Sequence, residues 1–409
     1  MIERLGKVIT LGLLGLSLFW VFTIRIATGI WIGGFTLNAY LTGVAALSAG
    51  LLSLLTIILL AQRYLSGGYA FGDIPFSQKL LSMSGIPFLL YSVSSLGLNF
   101  RIEGFQNTLT WAAFAFTVFA LPYWITADDA RRIRSTMRIT VMVVPLVKII
   151  IFYANIDVYG EASYALVAVG LLAFAVTQRP QAWFDYFSPW LLLFSILLCD
   201  VRTAAVVAAL LMVVSSWQWP ITSRIKTAVT LVISGVVGVM GWWAVGDRLA
   251  DSGDSGLAQF FGEDSILAGI GTTNRGAAWA HILDNLPEGT NWWGQGAGHS
   301  SFLVDELLGI HHPHNEYLRI YFDFGWVGFT LFLAGSLAMF IAVLWHWKRS
   351  QSGLTLAGLL SIVVVALMAV TDNPIVFIYV MLPIAVLLSA GSATQSLTSP
   401  MEQDLPGRS

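Results

Sequence analysis

The sequence predicts an all-α polytopic membrane protein of about twelve transmembrane helices, with one large helical loop outside the cytoplasm. Three observations carry this expectation. Of 409 residues, 56% are hydrophobic and 11% charged, with a mean hydropathy of +0.75, which excludes an ordinary soluble domain. Apolar runs long enough to cross a bilayer recur along the chain. The basic residues fall on alternate loops between those runs.

In chain order the runs lie near 8–24, 41–61, 80–98, 108–126, 139–155, 162–178, 184–200, 203–218, 227–246, 326–345, 354–370 and 374–390. The first follows a basic stretch (Arg4, Lys7), as a signal peptide would. It is long, however, and Arg25-Ile-Ala-Thr-Gly offers no small-residue cleavage site, so a retained helix is expected. One set of alternate loops holds 14 of the 21 basic residues. The opposite set keeps Arg25, Arg101, Arg202, Arg248, Arg275 and Arg319, while Lys148 lies within a run. The positive-inside rule then places both termini in the cytoplasm. Four regions follow: 1–246 with nine spans, a loop over 247–325, three spans over 326–390, and a polar tail over 391–409. The single cysteine, Cys199, permits no intramolecular disulfide.

The loop is acidic, with eleven Asp or Glu against three Arg. It reads as folded. Thr272 or Thr273 can cap a helix over 275–285, with Trp279, Ile282, Leu283 and Leu286 at helical spacing. Ser300 can cap another over 301–308, closed by Gly309.

Chemistry-bearing residues gather at the ends of this loop. Five of the six histidines (His281, His299, His311, His312, His314) fall within it. His314 precedes Asn315, an expected N-cap for a helix carrying Glu316, Tyr317 and Leu318. A helix N-terminus disfavours imidazolium and keeps a neutral histidine able to take a proton; the alternative is a solvated or capping histidine. His311, His312 and His314 are also candidate metal ligands, but Pro313 breaks regular spacing and no His-Glu-x-x-His occurs. The expectation is therefore no metal.

Arg202 stands between two runs at the outer membrane surface, either as a headgroup-reaching side chain paired with Asp200 or as a functional cation. Arg275 opens the loop helix, where a guanidinium beside a helix N-terminus suits a phosphate; an exposed pair with Asp284 or Glu288 is the alternative. Trp292-Trp293 before Gly294-Gln-Gly296-Ala-Gly298 could stack on a sugar or sit at the membrane interface. No strand precedes those glycines, so they are no nucleotide fingerprint. Lys148, inside a run, either snorkels or pairs with an acid such as Asp200.

The order of these pieces resembles the O-antigen ligase and polysaccharide polymerase superfamily. The residues that carry the resemblance are Arg202, Asn274-Arg275 with Trp279, Gly294-Gln-Gly296, His314-Asn315-Glu316-Tyr317-Leu318, and Gly325-Trp-Val-Gly328, over about 185–345. The chain departs from the family at Cys199-Asp200-Val201, where serines often stand. The resemblance implies an inverting, metal-independent glycosyltransferase of a bacterial inner membrane, without cofactor, its loop and active site periplasmic. The donor it implies is a glycan on undecaprenyl diphosphate, and the acceptor a saccharide or the lipid A core. Membrane lipids are the other expected partner, and no nucleic acid is. In that scheme His314 is the base, and Arg202 and Arg275 hold the diphosphate. Asn315, Tyr317, Trp292 and Trp293 line the substrate site. A polysaccharide or lipid transporter or flippase is the rival reading; such proteins usually show repeated halves around a midplane site.

Overall fold

The computed structural model describes residues 2–23, 30–32, 35–66, 74–154, 161–178, 183–199, 201–218, 275–286, 291–308 and 312–393. The expected run at 227–246, the loop over 247–274 and the tail from 394 lie outside the described residues. Helices dominate: α1 (Ile2–Thr23), α2 (Leu37–Leu65), α3 (Phe76–Met83), α4 (Ile86–Ser95), α5 (Ile102–Ala120), α6 (Ala127–Tyr153), α7 (Glu161–Thr177), α8 (Trp183–Leu197) and α9 (Arg202–Gln218). After the undescribed stretch come α10 (Arg275–Asp284), α11 (His299–Leu308), α12 (Glu316–Ser350), α13 (Gly353–Met368) and α14 (Ile378–Ala393). A two-residue antiparallel ladder, Trp31–Ile32 with Phe35–Thr36, precedes α2.

The chain is a helical membrane protein. Among the described residues, four helices are long and apolar enough to cross a membrane by length and composition: Ile2–Val21, Leu37–Gln62, Ala127–Tyr153 and Glu316–Ser350. The other apolar helices singled out are 10–17 residues long, short of the roughly 20 that a span usually needs. The run at 80–98 is not one helix. It breaks at Ser84-Gly85, because Pro87 in the first turn of α4 lacks an N–H and cannot continue α3.

Small residues set how closely the helices approach. In lipid no hydrophobic force drives helices together, so packing and polar contacts decide. Ala165, Ala168 and Ala173 on α7 and Ala204, Ala208 and Ala209 on α9 are buried with them. Tyr164, Phe174 and Tyr379 are buried at the same centre, where α7 and α14 are apolar all round. Hydroxyls buried along the helices bond back to the preceding turn: Ser53 to the Ala49 carbonyl, Thr56 to Leu52, Ser361 to Ala357 and Ser389 to Ala385. Lys148 is buried, with its ammonium 5.6 Å from the centroid of the Tyr164 ring; Asp200 lies outside the described residues.

A second, smaller core forms outside the main one. Ala278 and Ile282 of α10, Val304 of α11 and Phe322 of α12 are fully buried together, with Trp279, Leu286, Leu303 and Leu318 against them. The helical spacing read over 275–285 thus meets its partner helices.

Candidate functional site

The long helix α12 is two helices in series. Gly325 takes φ 63° and ψ −170°, a conformation outside the helix and open almost only to glycine. The freed backbone groups are satisfied by the Gly-rich turn. Trp326 and Val327 donate to the Asn291 and Trp292 carbonyls (2.8 and 3.1 Å), and Gln295 and Gly296 donate to the Phe322 and Asp323 carbonyls (3.1 and 3.0 Å). A Cβ at Gly294 (φ 83°) would fall on the Asp323 carbonyl, so this close approach requires glycine. The same turn rests on α4: Tyr91 donates its hydroxyl to the Trp293 carbonyl (2.9 Å), and Ala297 donates its N–H to Ser95 Oγ (3.1 Å).

His314 sits immediately before this interlocked segment, in the left-handed region at φ 53°. Such a conformation is costly for a side-chain-bearing residue and is held by its surroundings. Asn315 is the N-cap, as expected: its Oδ1 accepts the Leu318 N–H at 3.0 Å. Its oxygen is thereby committed to the helix. Tyr317 is half-buried. Its hydroxyl donates to the Ala366 carbonyl (2.9 Å), and its ring lines an apolar cavity of about 250 Å³ with Phe332, Leu333, Val365 and Ile375.

His314 meets an acidic side chain from a distant part of the sequence. Nδ1 stands 3.4 Å from Oδ1 of Asp372, whose side chain is 4% exposed against 32% for the histidine. A carboxylate accepting from Nδ1–H fixes the tautomer and leaves Nε2 as the free, basic nitrogen. Asp372 occupies the short turn between α13 and the 3₁₀ segment Pro374–Val376. Sequence reasoning missed it. The available signal was a lone acid in a turn that the basic-residue pattern places on the side of His314.

Both helices that begin with the singled-out arginines are fastened beside this pair. Arg202 opens α9, and its neighbour Thr203 shares a 2.6 Å hydroxyl contact with Thr371, next to Asp372. Arg275 opens α10, where Trp279 Nε1 donates to the carbonyl of Pro313, next to His314, at 2.6 Å. The side chains of Arg202 and Arg275 lie outside the described residues.

The remaining histidines part ways. His299 lies parallel to the Phe322 ring (centroids 5.9 Å) and accepts at Nδ1 from the Asn99 amide at 3.1 Å. Burial first, and then the Arg101 guanidinium, lower its pKa below the usual histidine value. His281 lies in α10 beside Asn285, and His312 meets the edge of Phe377. His311 lies outside the described residues. Trp292 and Trp293 are 58% and 65% exposed; their carbonyls anchor the turn, and their rings face outward.

Ser300 does not cap α11. The helix begins two residues earlier than expected, at His299, and Asp323 of α12 performs the capping: its carboxylate accepts the Ser300 and Gly298 N–H groups at 2.8 and 3.0 Å. Asp323 was also missed by sequence reasoning, as was the grouping of Glu316, Arg319 and Asp323, although their three- and four-residue spacing on an otherwise apolar helix is legible.

No curated protein matches the chain. Residues 187–333 match the family model described as O-Antigen ligase. That stretch takes in Arg202, Arg275, Trp292, Trp293, His314, Asn315 and Tyr317 and stops short of Asp372. Over that stretch the chain is similar to the O-antigen ligase family, in line with the motifs read from the sequence.

Proposed function

We propose that the protein is an inner-membrane glycosyltransferase that moves a glycan from undecaprenyl diphosphate to a saccharide acceptor at the periplasmic face. The observation that carries this reading is the His314–Asp372 pair, set where the helices opened by Arg202 and Arg275 are fastened. His314 Nε2 takes the proton of the acceptor hydroxyl while that oxygen attacks the anomeric carbon of the donor. The bond from that carbon to the diphosphate oxygen breaks, and undecaprenyl diphosphate leaves with the electron pair. Attack opposite the leaving group inverts the anomeric configuration. Arg202 and Arg275 hold the diphosphate through paired N–H donors and take up its growing charge. The scheme asks for neither metal nor cofactor. Both termini are cytoplasmic and about twelve spans surround the site. The acceptor is either the lipid A core, giving ligation, or another lipid-linked repeat, giving polymerisation.

The test is transfer by purified protein given lipid-linked glycan and acceptor. Wild type forms a new glycosidic bond, whereas His314→Ala, at equal protein level, loses about 10²–10⁴-fold in rate. Wild-type transfer by His314→Ala removes the base assignment. If the native protein moves the lipid-linked glycan and forms no bond, the transporter reading replaces this one.

A further inference from the structure

The first nine residues of α12 carry three buried charges on one face. Glu316, Arg319 and Asp323 are 0%, 3% and 0% exposed. Arg319 Nε donates to Glu316 Oε2 at 2.5 Å, and Arg319 Nη1 lies 3.7 Å from Asp323 Oδ2. Asp323 reaches outward to the Gly298 and Ser300 N–H groups. At the other end, the backbone N–H of Glu316 donates to the Ala369 carbonyl at 2.9 Å. The network therefore joins three stretches remote in sequence: the Gly-rich turn with α11, the start of α12, and the end of α13.

His314 and Asp372 stand at the edges of this framework. Glu316 follows His314 by two residues, and Ala369 precedes Asp372 by three. Packed apolar side chains would hold these stretches together at lower desolvation cost; what paired charges add is a fixed register. Register matters here because His314 is held at a positive φ and its ring meets Asp372 through a 3.4 Å contact at Nδ1. A small slip of α12 against α13 would part the two.

We infer that Asp323 is a positioning residue for the His314–Asp372 pair, acting through Arg319 and Glu316 on the backbone at either side of it. The inference rests on His314 being the base of the proposed transfer. Asp323 touches no reacting atom in this arrangement. Its effect is on where the base stands.

The experiment measures kcat and donor KM in nanodiscs for wild type, Asp323→Ala and Asp323→Asn, each normalised to folded protein. The two substitutions are repeated in a His314→Ala background. Asp323→Ala lowers kcat at least about tenfold with donor KM within about twofold, as misplacement of a reacting group does. Asp323→Asn keeps one acceptor oxygen and retains part of the rate. In the His314→Ala background, neither substitution costs anything further. The inference is overturned if kcat per folded molecule is unchanged, if KM takes the whole effect, or if the loss is equal in both backgrounds. Should Asp323→Ala fail to fold, Asp323→Asn carries the same comparison. His314→Ala alone separates the two levels: if it transfers normally, the base reading has failed, and if it is inactive while the Asp323 variants keep full kcat, only the positioning role has.

Discussion

Replacing Asp372 by Asn tests the heart of the site, since it keeps the shape of the side chain and removes its charge. At the 3.4 Å separation from His314 Nδ1, Coulomb's law with an effective dielectric constant of about 20 gives an attraction of about 5 kcal/mol between imidazolium and carboxylate. Solvent takes part of that away, because the histidine side chain is 32% exposed. A hydrogen bond to a charged group is worth roughly 1.5–3 kcal/mol net, which corresponds to about 10- to 100-fold in kcat. Asp372→Asn should therefore fall between wild type and His314→Ala. The assay is glycan transfer by protein in nanodiscs, with kcat and donor KM obtained from initial rates. Because Asp372 acts on the histidine, the double variant should be no slower than His314→Ala alone. Multiplying losses in the double variant, or an undiminished kcat for Asp372→Asn, would refute the pairing.

Two further outcomes follow from the scaffold. Gly325→Ala should lower the melting temperature and the yield of folded protein by an amount equivalent to about 2–3 kcal/mol, since alanine meets both a backbone conformation nearly closed to it and the backbone of Trp292 and Gly294; an unchanged melting curve would contradict the described break in α12. Trp279→Phe removes the 2.6 Å bond to the Pro313 carbonyl at a cost of about 1 kcal/mol, and transfer should drop several-fold while the protein stays folded, whereas full activity would show that α10 need not be tied to the His314 segment.

Much of the helical layout was legible because it depends on local pattern. Apolar runs mark the helices, and the spacing of Trp279, Ile282 and Leu286 marks the buried face of α10. Asn315 marks the start of α12 through the chemistry of its own side chain. What stayed hidden depends on residues meeting across the chain. Asp372 lies 58 positions beyond His314, and nothing near either residue announces the other. Asp323 caps a helix that starts 24 residues before it; its partners are backbone N–H groups, which a sequence displays identically at every position. The break at Ser84-Gly85 is a different case. Pro87 was visible within the apolar run, but hydropathy alone does not register a missing N–H. Apolar length in sequence likewise does not say how much of a run remains in one unbroken helix.

The stitched break at Gly325 also governs when the site can exist. The turn over 291–298 leaves the ribosome before the residues whose backbone it binds, Phe322 to Val327. It therefore cannot take its folded partners until the first half of α12 has been made. Asp372 arrives later still, after α13 has returned the chain to the same end of the molecule. A nascent chain carrying all three motif positions, Arg202, Arg275 and His314, still lacks the carboxylate that meets His314. In the proposed transfer, the site would thus be assembled only after translation of the turn that follows α13.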